Sequence, residues 1–592
     1  MTDMSRRSLI QGSLALGAAG FIGAAEASTQ AKVPSKWDAT YDVVVVGSGF
    51  AGLAAAIEAK KAGASCVVLE KMPTAGGNSI INGGILTATG CPQQLKHGIK
   101  DSPELLAKDM LVAGLYMNNP EKVKLVADSA LSNYEWTVKE LGVEYNPDAI
   151  GQEGGHSVPR YVFTKNGSGS GIVSKELEKV AKLGVKVETR TYVEHIIRDE
   201  KGAVLGLQIR KGYRFPKAGS GRVQFIRAKK GVVLCYGGFS RDVAYRTMQD
   251  PKLAANLDST NQPGATAELW RETSRIGCAQ VQNDWIQCTP WNNPKEKGMG
   301  IGWTFSQSGA AEYGLWVSTS GKRFVNELAN RKVRADAIMV EHTNGFKAVA
   351  ICTAANLKAF KEARPGMLEK LLEGGMLKQY KSLKDIAADW KIPADQLAKT
   401  VDEFNKAVKA KNDPLFGRYI NNEQVPLEGD AWYACEMSPK VHHCMGGLVT
   451  DMQCRVLDAS TLPANPPPAC TAPCVWAPAL FLTASSTAVS PVRALPRPSD
   501  SDSVGKTAGR EILILPALEG SGLCLCGFRP LFSYPQKYQA AAALRPAMRP
   551  TVKASIRPQE ERRASPFKPP VISPAAKSPG TGASSVTLKT RA

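Results

Sequence analysis

The alternation of apolar and polar residues predicts a strand–helix–strand unit near the start of the chain. An apolar, β-branched run at residues 41–46 is typical of a buried parallel strand. Small and apolar residues at helical spacing over 51–62 predict a helix, and residues 65–69 predict a second strand. This order predicts a βαβ unit with two parallel neighbouring strands.

The middle of the chain continues the same alternation. Apolar residues recur at three- and four-residue intervals over 101–141, which predicts helical structure. A loop rich in glycine and serine at 166–171 precedes a helix that is expected to begin near Ile172. Short β-branched runs then predict strands at residues 185–191, 193–197, 204–209, 223–228 and 231–234. The predicted fold class is therefore α/β, with a Rossmann-like sheet.

A glycine pattern of the form G-x-G-x-x-G follows the first predicted strand. The first glycine allows a tight turn, the second lets backbone N–H groups approach a diphosphate, and the third lets the helix pack on the strand. A diphosphate is favoured at the helix N-terminus by unpaired amides and the helix dipole. An acid at the end of the second strand accepts hydrogen bonds from a ribose. The candidate dinucleotide-binding residues here are Gly47, Gly49, Phe50, Ala51, Gly52, Glu70 and Lys71.

A second glycine-rich segment follows, and its bare backbone could lie along a flat ring system. Its candidate cofactor-binding residues are Gly76, Gly77, Asn78, Ser79, Gly83 and Gly84. Together the two segments resemble the FAD-dependent fumarate reductase and flavocytochrome c flavoprotein family, in which the second segment lines the isoalloxazine. Relatives of the succinate dehydrogenase type carry a histidine near the position of Asn78 that bonds covalently to the flavin. The resemblance therefore implies non-covalent FAD in this chain.

Two further segments resemble parts of this family that contact FAD. Cys235 and Tyr236 precede Gly237 and Gly238, where the family has an Ala-Thr-Gly-Gly turn beside the adenosine. The two glycines that allow close approach are retained. The segment at 261–268 resembles the family's Pro-Gly-Ala-Thr-Gly-Asp segment, with Glu268 in the acidic position. The resemblance implies that Gly237, Gly238 and Glu268 contact FAD.

The segment GKRFVNE at 321–327, which is followed by Arg331, closely resembles the family's G-K-R-F-x-N-E motif. The resemblance implies that reduced FAD gives hydride from N5 to the β-carbon of an α,β-unsaturated acid, and that Arg331 donates the proton. A guanidinium ordinarily keeps its proton, so this role requires a buried arginine linked to a relay. The alternative is structural, because Arg331 begins a predicted helix with Lys332 and Arg334, and basic helix faces are usually solvated.

The segment VHHCMGG at 441–447 resembles the family's His-His-Thr-Met-Gly-Gly segment. In the family a histidine there binds the substrate carboxylate, and the glycines turn the chain back under the flavin. An imidazole with a free N–H is a good carboxylate donor. We expect His442, His443 and Gly446 to bind substrate, and we favour His442 as the catalytic ligand. A pair of histidines that cap a turn is the alternative interpretation.

Two departures from the family pattern bear on the substrate. The family's other carboxylate-binding histidine follows an Ile-Gln pair, but Ile286 and Gln287 are followed here by Cys288. The family's relay acid and arginine fall at Gln307 and Ala310, and neither side chain passes a proton as those do. The same region is rich in tryptophan, with Trp285, Trp291, Trp303 and Trp316. These features favour a monocarboxylic or aromatic acrylate over fumarate.

The first residues predict an export signal. The sequence SRRSLI at 5–10 is a twin-arginine pattern, and a mild apolar stretch at 14–24 and Ala-Glu-Ala at 25–27 follow it. The apolar stretch is too short to span a bilayer. Residues 1–27 are therefore predicted to be a twin-arginine signal peptide that sends a folded flavoprotein to the periplasm.

Cysteine and charge patterns restrict the expected partners. None of the 13 cysteines lies in a C-x-x-C-H haem motif, and no NADH domain is evident. We therefore expect a separate c-type cytochrome or another periplasmic donor to supply electrons. The cysteine spacing predicts no metal site. Half of the net charge of +20 lies after Asp458, in a region without the aromatic and amphipathic patterning of nucleic-acid or membrane binding, so neither is an expected partner.

The predicted organisation is an FAD-binding domain with an inserted α+β capping domain. The first part of the FAD-binding domain is predicted at 38–284, the capping domain at 285–441 and a return segment at 442–510. Residues 511–592 are predicted to be a disordered, proline-rich, basic tail. After Asp458 the sequence departs from the family, and our hypothesis is that the reading frame slips there. Arg493, in a short stretch that resembles the family's second substrate arginine, is a further catalytic candidate.

Three functions remain open from the sequence. The first is a periplasmic FAD-dependent reductase of an unsaturated carboxylate. The second is a flavin-binding protein without turnover, because one histidine, the proton relay and the C-terminal segment differ from the family. The third keeps the fold and reverses the chemistry, as in ketosteroid dehydrogenases.

Overall fold

The structure is a computed structural model that describes residues 31–152 and 155–461. Three predictions lie outside the described residues: the signal peptide at 1–27, the catalytic candidate Arg493, and the basic tail at 511–592. The return segment is described as far as residue 461. The described residues all belong to one compact unit.

The described chain up to residue 281 forms an α/β domain around a six-stranded sheet. Its elements are, in chain order, β1 (Ala39–Val46), α1 (Phe50–Lys61), β2 (Cys66–Leu69), β3 (Ile85–Thr87), α2 (Pro92–Lys96), α3 (Pro103–Ala113), α4 (Pro120–Asp128), α5 (Ala130–Lys139), β4 (Tyr145–Gly151), β5 (Tyr161–Thr164), α6 (Ser170–Lys182), β6 (Lys186–Glu188), β7 (Thr191–Arg198), β8 (Val204–Lys211), β9 (Arg222–Leu234), α7 (Val243–Gln249), α8 (Glu268–Arg275) and β10 (Gln280–Val281). The strand order of the main sheet is β6-β2-β1-β9-β8-β7.

Strand β1 is central because its apolar residues are buried on both faces of the sheet. Val44 pairs with Val67 of β2 on one side and with Val232 of β9 on the other, and both pairings are parallel. Val44 and Val45 are completely buried, as expected for a strand covered on both faces. The parallel pairing confirms the predicted α/β class and places the end of β1 at the edge where parallel sheets bind ligands.

Local sequence explains two differences from the predicted elements. The helical pattern over 101–141 is divided into α3, α4 and α5, because Leu115 and Tyr116 take left-handed backbone conformations and Pro120 starts a new helix behind the Asn119 cap. The runs predicted at 223–228 and 231–234 form the single strand β9. The two lysines between them, Lys229 and Lys230, lie where the pairing with β1 shifts register, and that pairing resumes at Gly231.

The chain from residue 286 forms a second sheet before it returns to the first domain. Its elements are β11 (Ile286–Asn292), a π-helical segment (Phe305–Ala311), β12 (Leu315–Ser318), α9 (Arg331–Thr343), β13 (Ala348–Thr353), α10 (Lys358–Ala363), α11 (Met367–Glu373), β14 (Lys378–Tyr380), α12 (Leu383–Trp390), α13 (Ala394–Ala410), β15 (Trp432–Cys444) and β16 (Gly447–Leu448). The strand order is β11-β15-β13-β12, and β14 also pairs with β15.

The second sheet supports the candidate site through its long strand β15. β15 is antiparallel to β11 and β13, and its end carries the two adjacent histidines. β16 then pairs with β10, which links the return of the chain to the first domain. Across residues 31–152 and 155–461, no helix combines the length and apolar character needed to cross a bilayer.

Candidate active site

The turn after β1 is closed so tightly that it accepts only glycine at two positions. Gly47 has φ +103°, and a Cβ there would clash with the backbone oxygen of Cys235. A Cβ at Gly52 would clash with the backbone oxygen of Gly47. The two glycines thus allow α1 and the end of β9 to pack closely against the turn that follows β1. The N-terminus of α1 consequently faces the space beyond the strand ends, where a diphosphate is favoured.

Glu70 at the end of β2 is tied to this turn by Ser48. The Ser48 hydroxyl donates to Glu70 Oε2 at 2.6 Å, and the backbone N–H of Met72 donates to Glu70 Oε1 at 2.8 Å. The backbone N–H of Gly76 donates to the Ser48 hydroxyl at 3.0 Å, so one side chain joins the first and second glycine segments. Sequence reasoning missed Ser48, and the only signal was its position inside the glycine pattern.

Two cavities run from this turn toward the second sheet. The first has a volume of 260 Å³ and the second of 1100 Å³. They share Phe50, Asn78, Ser79, Gly237 and Gly238, so the two cavities are adjacent. The predicted cofactor residues that line this space are Gly47, Gly49, Phe50, Ala51, Glu70, Lys71, Gly77, Asn78, Ser79, Gly83, Gly237, Gly238 and Glu268.

The remaining predicted cofactor residues pack against other parts of the protein and do not face a cavity. Gly52, Gly76 and Gly84 do not line either cavity. A Cβ at Gly76 would lie 2.9 Å from Cβ of Ile80, and one at Gly84 would clash with the Thr164 hydroxyl, so both positions require glycine for packing.

The lining fits a long cofactor that combines a dinucleotide with a flat ring. A Cβ at Gly77 or Gly237 would meet no protein atom within 4 Å, so these glycines leave open space on the cavity side. At the rim of the smaller cavity, Lys71 Nζ lies 3.1 Å from Glu268 Oε2. Asn78 is held in place because its Oδ1 accepts from the backbone N–H of Gln262 at 2.7 Å. The elongated space, the glycine cradle and the acid at the end of β2 fit FAD.

His442 and His443 both line the larger cavity at the end of β15, as does Gly446. His442 Nδ1 shares a hydrogen bond of 2.5 Å with the Thr260 hydroxyl, and Asn261 Nδ2 donates to the His442 carbonyl at 2.6 Å. Among the described residues, the buried Nε2 of His443 has no hydrogen-bond partner. His443 thus lines the cavity with a side chain whose buried Nε2 atom is unsatisfied within residues 31–152 and 155–461.

Both imidazoles are held neutral. Burial is the largest cause that puts the pKa of His442 well below its usual value, and the neighbouring His443 imidazole and the Arg331 guanidinium further disfavour its protonation. Burial and the charge of Arg331 lower the pKa of His443 to about 3. A neutral imidazole with one N–H can donate to a carboxylate, so the cation of this region is the guanidinium of Arg331.

Arg331 starts helix α9 behind an asparagine cap. The backbone N–H of Val333 donates to Asn330 Oδ1 at 3.0 Å, which fixes the first turn. Arg331 is half-buried and does not line the larger cavity. It is nevertheless close enough for its charge to lower the pKa of both histidines. Its guanidinium carbon lies 5.2 Å from the centre of the Trp291 ring. Of the basic residues considered from the sequence, Lys332 is exposed as on a solvated face, whereas Arg334 is buried.

The motif before Arg331 forms a buried ionic network. Arg323 Nη2 lies 2.7 Å from Glu327 Oε2 and 2.9 Å from Asp413 Oδ2, and all three side chains are almost fully buried. Burial alone lowers the pKa of the Arg323 guanidinium, but Glu327 and Asp413 raise it on balance. Arg418 approaches the same Glu327 oxygen at 3.4 Å. This network fixes the segment that leads into α9.

The positions that depart from the family pattern are not replaced by charged groups. Cys288 is buried beside Leu253 and Val441, and burial raises the pKa of its thiol to about 12. Gln307 Oε1 accepts from Arg334 Nη1 at 2.7 Å, and Ala310 is completely buried. Met299 and Trp303 also line the larger cavity, whereas Trp291 and Trp316 lie in the core of the second sheet.

Sequence reasoning missed Thr260, which orients His442, and Met299, which lines the cavity. Thr260 lies directly before a segment that resembles the family, but its partner is 182 residues away. Met299 lies between two glycines, which was the available signal for a loop at a binding site. Within residues 31–152 and 155–461, no group of three or more His, Cys, Asp or Glu side chains could hold a metal ion.

Comparisons with known proteins identify the family of the chain. The model of the FAD binding domain family matches residues 42–464. The acrylate reductase flavoprotein subunit of Shewanella woodyi is 35% identical, over 77% of this chain and 90% of that protein. The urocanate reductase of Eggerthella lenta is 30% identical, over 71% of this chain and 68% of its own length. The fumarate reductase (cytochrome) of Shewanella frigidimarina is 31% identical, over 73% of this chain and 71% of its own length.

Solved structures share the fold at lower identity. The open conformation of a flavocytochrome c3 fumarate reductase has a TM-score of 0.62 and 24% identity, covering 82% of this chain and 79% of that chain. The 3-ketosteroid-Δ4-(5α)-dehydrogenase from Rhodococcus jostii RHA1 has a TM-score of 0.60 and 22% identity, covering 78% and 98%. These two likenesses concern the fold. The extent of the family match and the identity to the reductases show that the chain belongs to the FAD binding domain family of fumarate and acrylate reductase flavoproteins, and that it is an FAD-dependent oxidoreductase.

Proposed function

We propose that this oxidoreductase reduces the C=C bond of an α,β-unsaturated monocarboxylate. The observation that carries the proposal is the Nε2 atom of His443, which is buried in the cavity wall without a partner among the described residues. A neutral imidazole N–H can donate to a carboxylate, and a buried donor without a partner is costly, so pairing it with a substrate carboxylate would be favourable. When bound, reduced FAD supplies hydride to the substrate β-carbon.

The two histidines take different roles. His443 donates to the substrate carboxylate, although the sequence favours His442. His442 is already engaged, because its Nδ1 shares the 2.5 Å hydrogen bond with Thr260 and its carbonyl accepts from Asn261. His442 therefore holds the end of β15 in position and lines the cavity beside the donor. Gly446 lines the same cavity, and a Cβ at this position would clash with the backbone of Gln282.

Arg331 protonates the carbon next to the carboxylate. Charge that develops there is stabilised by a cation, and the guanidinium of Arg331 is close enough to lower the pKa of both histidines. Arginine seldom gives up a proton, so the role depends on burial and on a fixed orientation. Positioned proton transfer typically contributes about 10²–10⁴-fold to a rate.

The cavity wall favours a single carboxylate with an apolar substituent. Cys288 occupies the position after Ile286 and Gln287, and its thiol is neutral because burial raises its pKa to about 12. Met299 and Trp303 line the cavity and offer apolar surface to an alkyl or aryl group. A second carboxylate would have to be desolvated against these side chains, which costs free energy.

The cellular setting is part of the proposal. The residues that line the flavin cavity include Asn78 and no histidine in the second glycine segment, which supports non-covalent FAD. The twin-arginine pattern supports export to the periplasm. Because the sequence carries no C-x-x-C-H motif, a separate c-type cytochrome or other periplasmic donor is the proposed source of electrons.

The test is anaerobic reoxidation of the dithionite-reduced, FAD-loaded protein by a panel of acids. We expect acrylate and aryl acrylates to reoxidise the flavin rapidly, and fumarate to do so more slowly. An Arg331→Met variant should bind FAD normally and lose turnover by about 10²-fold or more. Lys332→Met is the matched control, because Lys332 is the next residue of α9 and its side chain is 61% exposed. Full turnover by Arg331→Met would remove the proton-donor assignment.

A flavin-binding protein without turnover is the second candidate. Gln307 and Ala310 stand where the family has its proton relay, and the Gln307 amide is occupied by Arg334. In that case the purified protein stays yellow and folded, yet none of the acids reoxidises its reduced flavin. Reoxidation by any member of the panel removes this candidate.

A further inference from the structure

The chain between β11 and the π-helical segment supplies part of the wall of the larger cavity. Residues 293–302, the wall loop, belong to no helix or strand. Gly298, Met299 and Gly300 of this loop line the cavity, and Trp303, which also lines it, follows directly after the loop. Because the loop has no regular backbone ladder of its own, its position depends on the contacts that neighbouring elements make with it.

The buried ammonium of Lys440 reaches the wall loop from β15. Lys440 is 2% exposed, and its Nζ donates to the backbone oxygens of Glu296 and of Gly298, the latter at 2.9 Å. Asp258 Oδ2 lies 3.7 Å from the same Nζ and accepts from the backbone N–H of Gly298 at 3.1 Å. Lysine is almost never fully buried unless it is paired, so these contacts hold both the ammonium and the loop.

Met299 is held by the neighbouring strand as well. Asn292 is completely buried at the end of β11, and its Nδ2 donates to the Met299 backbone oxygen at 2.8 Å and lies 3.6 Å from the Met299 sulfur. Glu296 closes the loop on itself, because its carboxylate accepts from the backbone N–H groups of Ile301 at 2.6 Å and Gly302 at 2.9 Å. The place of Met299 in the cavity wall therefore depends on β11 and β15.

We propose that Lys440 is a positioning residue that sets substrate specificity by holding Met299 as a fixed apolar surface of the cavity. This inference rests on the proposed function, in which the cavity binds an unsaturated monocarboxylate with an apolar substituent. Lys440 does not line either cavity, so it acts on the substrate through the wall loop. A surface that is already ordered binds an aryl group without the entropy cost of ordering the loop. Acrylate has no substituent and gains little from it.

The test compares the binding of acrylate and of cinnamate, an aryl acrylate, to the oxidised, FAD-loaded full chain, followed by the visible spectrum of the flavin. We expect Lys440→Met to weaken cinnamate binding by about 5- to 10-fold and acrylate binding by less than about twofold, as for partial loss of one apolar contact. Met299→Ala should give the same change in selectivity, because it removes the apolar surface itself.

The double variant shows whether Lys440 acts through Met299. In a Met299→Ala background, Lys440→Met should have little further effect on cinnamate binding, because both changes remove one contact. Equal weakening of both acids by Lys440→Met would overturn the inference. An effect of Lys440→Met on cinnamate that is as large without Met299 as with it would also overturn the inference.

Lys411→Met is the matched control. Lys411 Nζ also donates to backbone oxygens of a loop, those of Asn421 at 2.9 Å and Asn422 at 3.2 Å, but none of these three residues lines either cavity. This variant should leave the binding of both acids unchanged. A loss of cinnamate selectivity as large as that of Lys440→Met would show that loop anchoring in general, and not this contact, sets the specificity.

Trypsin cleavage after Lys297 reports the contact without any substrate. Lys297 is exposed in the wall loop. We expect cleavage there, identified by mass spectrometry, to be at least about fivefold faster in Lys440→Met than in the wild type, because cleavage follows local opening. Asp258→Ala removes the acceptor of the Gly298 N–H and should act in the same direction, which keeps the test if Lys440→Met does not load FAD.

The two measurements separate this inference from the proposed function. Unchanged cleavage after Lys297 in both Lys440→Met and Asp258→Ala would overturn the inference, whatever the acids do. Failure of the wild type to bind either acid would instead reject the proposed function, and with it the substrate preference assigned to the wall loop.

Discussion

Replacement of Glu327 tests the buried ionic network that leads into helix α9. Glu327 Oε1 accepts from Arg323 Nε at 2.9 Å and from the backbone N–H of Trp316 at 3.2 Å. Its Oε2 accepts from Arg323 Nη2 at 2.7 Å and lies 3.4 Å from Arg418 Nη1. A Glu327→Ala variant leaves two buried guanidiniums with Asp413 as the remaining carboxylate of the network.

The expected loss of stability follows from this arrangement. Removing one partner of a buried ion pair typically costs about 3–5 kcal/mol, because the remaining charge is not returned to water. Arg323 keeps Asp413 at 2.9 Å, and Arg418 keeps the backbone oxygens of Gly314 and Glu312 at 2.7 and 3.0 Å. We therefore expect the free energy of unfolding to fall by about 3 kcal/mol, at the low end of that range.

Urea unfolding of the FAD-loaded protein, followed by tryptophan fluorescence, measures this change. A Glu327→Gln variant keeps the side-chain volume and should lose less stability than Glu327→Ala. The control is Asp402→Ala, which breaks the exposed i, i+4 pair between Asp402 and Lys406, and it should leave the midpoint unchanged. The reasoning fails if Glu327→Ala unfolds at the same urea concentration as the wild type, or if Asp402→Ala loses as much stability.

Three further predictions concern the cofactor, the pH dependence and the substrate. A Gly52→Ala variant should bind FAD more weakly in a flavin fluorescence titration, because its Cβ would clash with the backbone oxygen of Gly47. The pKa of His443 is about 3 in the folded chain, below its usual 6.5, so the unfolded chain takes up the proton first. The neutral His443 side chain therefore adds to the free energy of unfolding above about pH 6.5, and this addition is lost as the pH falls toward 3. In urea unfolding, the free energy of unfolding of a His443→Gln variant should fall less across that pH interval than that of the wild type. Trp303→Ala should raise KM for an aryl acrylate more than for acrylate in steady-state assays, because Trp303 supplies apolar cavity wall.

The sequence predicts the structure best where the conformation depends on residues that are close together in the chain. The strand at 41–46, the glycine pattern after it and the helix that follows are fixed by local sterics, and β1 and α1 appear within two residues of their predicted bounds. The division of the helical region over 101–141 was less visible. It depends on left-handed backbone conformations at Leu115 and Tyr116, and neither residue type favours that conformation.

The contacts of the candidate site depend on pairs of residues far apart in the chain. Thr260 and His442 are separated by 182 residues, and their hydrogen bond follows from the way β15 returns beside the first domain. Nothing at Thr260 alone distinguishes it from a surface threonine. The orientation of His442, and the lack of a partner for His443 Nε2 within the described part of the chain, therefore become visible only with the tertiary structure.

Helix α9 shows how the same pattern can support two opposite expectations. Its periodicity places Arg331, Arg334 and Ile338 on one face, and a face with two arginines usually points to solvent. Strand β11 decides which expectation applies, because it places Trp291 against that face. The indole ring is an aromatic surface on which a charged guanidinium can pack. Burial of Arg334 is then offset by the Gln307 amide and the Glu327 carbonyl, while Arg331 remains at the edge beside the histidines. Arg334 is thus buried where residues outside α9 supply an aromatic face and two oxygen acceptors for its guanidinium, and that condition cannot be derived from the helix sequence itself.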